Sequence, residues 1–138
     1  MSPESALKRL GDELSLPPLN RWLAVEPVSV DGSERVCVRL PFRRELSYHD
    51  ELEVFHGGIV ASLADIAGYA AVAIGQDGAC PTMSLAIDYL KPAMGPSLDA
   101  VAILRRRGRT VSRVDIEILS GKELVAIARG TFHTGGAA

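Results

Sequence analysis

The stretch that decides the fold is HGGIVASLADIAGYAAVAIG, His56 to Gly75. It predicts one helix with a glycine-rich entry. Nearly every position is apolar or small, and Asp65 carries the single charge. An unpaired carboxylate is costly to bury, so Asp65 must reach a cleft or be neutralised. At about 100° per residue, Gly58, Ser62, Asp65 and Tyr69 fall within about 60° of one another and form a narrow polar stripe. Ile59, Leu63, Ile66, Ala70 and Ile74 recur on another side at three- and four-residue steps. The first amides of such a helix are unpaired and sit at the positive end of its dipole, and glycines let a ligand carbonyl approach them. These amides and a carboxylate together can make an oxyanion hole with a base or nucleophile. The residues alone leave a plainer alternative open. Asp65 can simply bond a tyrosine or a loop, and His56 can serve only to cap or pack.

Upstream of the helix, residues 43–55 are polar and irregular and predict a loop. Before them, Val36, Val38, Leu40 and Phe42 alternate with Arg35, Cys37, Arg39 and Pro41, the period-two pattern of a strand with one buried face. Asp31-Gly32 predicts a hairpin turn into that strand. Residues 21–30 predict a strand that contains a proline, hence an edge or a bulge. Residues 3–14 predict a short helix, with Pro3 at its first position, ended by Ser15–Asn20 with Pro17-Pro18. Downstream, 76–81 is a turn. Thr82–Leu90 is a strand with Met83, Leu85, Ile87 and Tyr89 on one face. Pro92, Gly95 and Pro96 break it. Residues 97–107, 110–119 and 123–133 are three more strands, joined at Gly108-Arg109 and Ser120-Gly121-Lys122. The tail 134–138 is expected to fray.

The order is helix, two strands, a long helix and four strands. Strands joined by tight turns imply an antiparallel meander, and one long apolar helix against it implies an α+β class. That helix is apolar around most of its circumference, so self-association is expected to help cover it.

A length of 138 residues suits a single domain with a real core. A formal net charge of -2 gives no support for a nucleic-acid or anionic-membrane partner. The helix stretch holds a charge and several glycines, which argues against a membrane span. No charged-then-apolar leader opens the chain. Cys37 and Cys80 fit reduced thiols in a cytoplasmic protein. His49, His56 and His133 have no ligand spacing with cysteine or carboxylate, so no metal is expected.

Three motifs in order carry a resemblance: His56-Gly57-Gly58, Leu63-Ala64-Asp65, and Ile87-Asp88-Tyr89-Leu90-Lys91-Pro92-Ala93. With Arg107-Gly108-Arg109, Gly121–Ala126 and Gly130-Thr131-Phe132, they resemble the hotdog-fold acyl-CoA thioesterases of the phenylacetate-degradation type, over about residues 20–133. The resemblance implies a long helix wrapped by a curved antiparallel sheet. It implies homodimers paired by their sheet edges, often assembled into tetramers, with active sites between subunits. It implies that the Gly57 amide polarises the thioester carbonyl and that Asp65 of the opposite subunit activates water or attacks the carbonyl. Thr82 matches the hydroxyl that orients the water, and His56 holds the loop. Gly58, Ser62 and Tyr69 would line the substrate. Lys91, Arg107 and Arg109 sit where the phosphates of coenzyme A could bind, or are simply solvated. No cofactor is implied, because coenzyme A is part of the substrate.

One position departs from the family. Asn usually stands six residues before the histidine, and this chain has Asp50. Asp50 can substitute for it when protonated or through water, it can turn away in favour of His49 or Tyr48, or the chain can be a non-catalytic acyl-CoA-binding module. Two carboxylates near one site would disfavour double ionisation. A hydratase of the same fold would want a histidine opposite the acid, whereas His56 enters at the glycine turn.

Overall fold

The computed structural model describes residues 1–135. Helix α1, Pro3–Ser15, starts at Ser2, whose side chain accepts from the Ser5 amide. It buries Ala6, Leu10 and Leu14 along one face. A second helix, α2, spans Pro18–Leu23. The strand expected over 21–30 is therefore cut short. Pro18 suits a helix start, and Ala24, left-handed at φ 62°, ends the turn before β1, Glu26–Asp31. Strand β2, Arg35–Pro41, follows the Gly32 turn and buries Val36, Val38 and Leu40, as its alternation predicts.

Helix α3, Gly57–Ala73, is the centre of the molecule. Strands β3 (Thr82–Tyr89), β4 (Ser97–Arg107), β5 (Val111–Ser120) and β6 (Glu123–His133) complete an antiparallel sheet in the order β1-β2-β4-β5-β6-β3. This corrects the simple meander. β4, β5 and β6 do run as consecutive hairpins, but β3 pairs with β6 at the far edge, and β4 pairs back onto β2. The segment between β3 and β4, with Pro92, Gly95 and Pro96, is no hairpin turn, so nothing local holds β3 beside β4.

The curved sheet wraps α3, giving the α+β class expected. Its inner face (Ala100, Ala102, Val114, Ile116, Ile118, Ala128) is buried against the helix residues Val60, Leu63, Ala64, Ala67 and Ala71. Phe132 is fully buried, and its ring fills the space where a Cβ on Gly68 or Gly130 would lie, 2.8 and 2.6 Å from ring carbons. The missing side chains are thus what let helix and sheet close around that ring. The C-terminal carbonyls of α3 are capped by two arginines. Arg9 of α1 donates to the carbonyls of Ala73 and Gln76 at 2.9 and 2.8 Å, and Arg107 of β4 donates to that of Val72 at 3.2 Å. Cations there satisfy the orphan carbonyls and oppose the negative end of the dipole. The tail expected to fray from residue 134 is tied at its start, where Thr134 bonds the carbonyls of Thr110 and Gly108 at 2.8 Å each. Residues 136–138 lie outside the described residues.

Candidate active site

The entry to α3 is built by its own sequence. His56 is the N-cap, and its Nδ1 accepts the Gly58 N–H at 2.8 Å. An accepting Nδ1 leaves the ring proton on Nε2. The carbonyl of Gly57 accepts from the Tyr89 hydroxyl at 2.8 Å. The Gly57–Gly58 peptide is therefore clamped at both ends, its N–H by His56 and its C=O by Tyr89. The Gly57 N–H has no hydrogen-bond partner among the described residues. It is an unspent donor at the positive end of a long helix, facing a cleft of about 420 Å³ lined by Tyr48, Phe55, Val60, Tyr89 and Lys91 among others.

About two turns further along α3 lies Asp65. Its Oδ1 accepts the Thr82 hydroxyl at 2.6 Å. Asp65 is half-buried, and it lines a second cleft of about 260 Å³ with Ser62, Ile66, Tyr69, Pro17, Leu19 and Asn20. The expected stripe is real: Gly58 is exposed, and Ser62, Asp65 and Tyr69 are half-buried, on a helix otherwise mostly buried. Ser62 donates to the Gly58 carbonyl at 2.8 Å. Burial raises the Tyr69 phenol above its ordinary range. Gly57 and Asp65 of one chain open into different clefts. Among the described residues, no carboxylate lining that cleft meets a carbonyl held by the Gly57 amide.

The sequence profile of the Thioesterase superfamily matches residues 42–127. The chain belongs to the thioesterase superfamily. Its membership makes it a hydrolase, and its fold is the hotdog fold of that superfamily. The acyl-coenzyme A thioesterase PaaI of Escherichia coli is 32% identical over 113 residues, covering 80% of this chain and 78% of the relative. The medium/long-chain acyl-CoA thioesterase YigI of Escherichia coli is 27% identical over 154 aligned positions, covering 98% and 97%. The structure of the E. coli PaaI protein superposes with a TM-score of 0.83 at 25% identity, covering 99% of both chains.

Other residues singled out in this thioesterase-superfamily chain fall elsewhere. Asp50 is exposed in the 47–55 excursion, which is pinned by Tyr48 N–H to the Val54 carbonyl at 3.1 Å and by Ser47 Oγ to the Leu52 carbonyl at 2.6 Å. Tyr48, not Asp50, lines the Gly57 cleft. Lys91 borders that cleft and pairs with Glu123 at 2.8 Å. Arg107 spends its donors on the end of α3 and on Gln76. Arg109 is exposed with no ion pair among the described residues, while Arg105 pairs with Asp115 at 2.8 Å.

Three residues escaped the sequence reading: Tyr89 as a clamp, Asn20 in the Asp65 cleft and Arg9 on the end of α3. Tyr89 carried one signal, as the single large polar aromatic beside the Lys91-Pro92 break. Asn20 and Arg9 carried none, because their neighbours are far away in sequence. No helix among the described residues is long and apolar enough to cross a membrane.

Proposed function

We propose that this chain hydrolyses acyl-CoA thioesters at sites each completed by two copies of it. The observation that carries the reading is the separation of two unspent groups on one helix, the Gly57 N–H and the cleft-facing Asp65 carboxylate. The thioester carbonyl oxygen docks on the Gly57 amide of one copy, whose peptide is held by His56 and Tyr89. Asp65 of the second copy, held by Thr82, takes the proton of the attacking water or attacks the carbonyl carbon itself. Negative charge then gathers on the carbonyl oxygen, where a fixed backbone donor at a helix start stabilises it. The adduct collapses and coenzyme A leaves as the thiol, taking a proton from Asp65 or solvent. The free acid is released at once when water attacks, or after water cleaves the acyl–Asp65 anhydride when Asp65 attacks. The names of the relatives PaaI and YigI support coenzyme A as the carrier.

The phosphates of coenzyme A fall to Lys91 and Arg109, with Arg107 acting chiefly through α3. Asp50 lines neither cleft of the single chain and takes no part in this reading. The working unit is a homodimer joined along the free edge of β3, paired into a tetramer in the cytoplasm. Asp50, standing where the family has Asn, is what favours the second reading, a binding module without turnover.

Two substitutions test the reading. Asp65→Ala removes the acid and should lower kcat by about 10²- to 10⁴-fold. Gly57→Pro removes the unspent N–H and sets ring carbons in its place, at a first helical position that proline suits, and should cost at least about 10²- to 10³-fold. Each variant alone should be nearly inactive. Subunits of the two, unfolded together and reassembled at equal amounts, should regain about a quarter of wild-type activity, since half the dimers are mixed and each holds one intact site. No recovery from fully reassembled dimers would place both groups in one subunit and refute the shared site. Full activity in Asp65→Ala would refute the hydrolytic assignment.

A further inference from the structure

The cleft at Asp65 has walls that the reaction does not need. It forms where the elbow between α1 and α2 lies along α3, so Pro17, Leu19 and Asn20 face Ser62, Asp65, Ile66 and Tyr69. Most of this wall is apolar. Asn20 is the exception. It is only 8% exposed, its main-chain carbonyl is spent on Ala24 and Val25, and its side-chain amide makes no hydrogen bond among the described residues. The amide is not sealed off either, because among the described residues the one polar side-chain atom left both fully buried and unpaired is Ser112 Oγ. Asn20 thus lines the cleft with the donor and the acceptor of its amide both unspent. Water can fill both bonds while the cleft is empty, and a ligand that displaces it without bonding the amide leaves the amide unpaired, which costs affinity.

We propose that this cleft holds the acyl group of the substrate, and that Asn20 reads a neutral oxygen substituent on it, a hydroxyl or a keto group. The inference rests on the hydrolase reading in one respect, the side of Asp65 on which the acyl group lies. Three observations set the chemistry. The wall of Pro17, Leu19 and Ile66 suits an alkyl body. Among the described residues no lysine, arginine or histidine lines the cleft, and Asp65 is already there, so an anionic substituent is repelled. An amide offers both a donor and an acceptor, which matches a hydroxyl or a ketone and rewards neither a plain chain nor a charged one. A site built to bond a substrate oxygen discriminates against the analogue lacking it, because its own polar group is then left unpaired. Leu19, half-exposed at the rim, bounds the length of the chain.

The test uses S-octyl coenzyme A, a thioether that cannot be hydrolysed, and its hydroxyoctyl counterparts with the hydroxyl on each successive carbon from the second onward. Affinities are measured by calorimetry on the full chain. At least one hydroxylated ligand should bind about ten-fold tighter than the plain one. Asn20→Leu should bring that ratio near one. Leu19→Trp, at an exposed position that folding tolerates, should weaken the octyl ligand relative to its butyl counterpart by a similar factor. A series with no hydroxyl preference overturns the role of Asn20, as does a preference that survives Asn20→Leu. An octyl-to-butyl ratio indifferent to Leu19→Trp overturns the acyl cleft. The outcome is independent of turnover. A preference in a protein that hydrolyses no thioester leaves Asn20 standing and removes the hydrolase, and a hydrolase with a flat series does the reverse.

Discussion

Asp65 and Gly57 differ from their neighbours by what they leave unbonded. Each sits among groups whose hydrogen bonds are satisfied, and each keeps one valence toward a cleft. The clamp on the Gly57–Gly58 peptide makes this specific. His56 takes one amide, so the site offers one donor of fixed direction and not two competing ones. Tyr89 fixes the other end, and it acts as a positioning residue, not a catalytic one. Tyr89→Phe should therefore lower kcat about five- to ten-fold with little change in KM, the size expected for one net hydrogen bond. Equal kcat in the variant, measured by thiol release, would show that the ring alone suffices. The thiols are a contrast. Cys80 is buried and burial pushes it above the ordinary thiol range, so it is a core residue and not a nucleophile.

Helix α3 and the strands β2, β4, β5 and β6 were legible because their signals are local: a long uncharged run, period-two alternation, and glycine turns. What failed was non-local. The α2 turn reads as strand because Trp22 and Leu23 suit either state, and only the proline start and the left-handed Ala24 decide it. The far-edge place of β3 depends on its register with β6, which no residue of β3 announces. The site followed the same division. The stripe Gly58, Ser62, Asp65, Tyr69 was visible on the wheel, whereas Arg107 looked like a free cation until the end of α3 was found against it. Gly68 tests the packing between helix and sheet. Helix propensity alone favours Gly68→Ala by about 1 kcal/mol. Overpacking against the fully buried Phe132 ring should cost about 1–3 kcal/mol and outweigh it. The expected result is a lower Tm, and a higher one would mean that the ring can move.

At the scale of the whole molecule, a cluster of charge stands on the side of the sheet away from α3. There Asp115 lies between Arg105 and Arg129, at 2.8 Å from each, in a groove of about 490 Å³ remote from both clefts. Arg129 holds the Asp115 carboxyl below the usual carboxylate range, partial burial opposes it, and Arg105 adds to the lowering. A carboxylate depressed in the folded state stabilises above its unfolded pKa, and the effect is lost as pH falls through the folded value. Thermal unfolding of Asp115→Asn against wild type should therefore show a Tm deficit at neutral pH that closes in acid below the ordinary aspartate range. A deficit constant with pH would assign the loss to packing.

Strand β3 holds Asp65 through Thr82 near one end and Gly57 through Tyr89 at the other. It is also a sheet edge, bonded on one side to β6 and open on the other. Whatever settles on that open side touches both braces at once. In the proposed dimer, assembly and chemistry are then a single equilibrium. The specific activity of this protein should fall on dilution as a mass-action curve, and an excess of an inactive Asp65→Ala, Gly57→Pro double variant should restore none of it. Dilution would work as an inhibitor without any inhibitor being present.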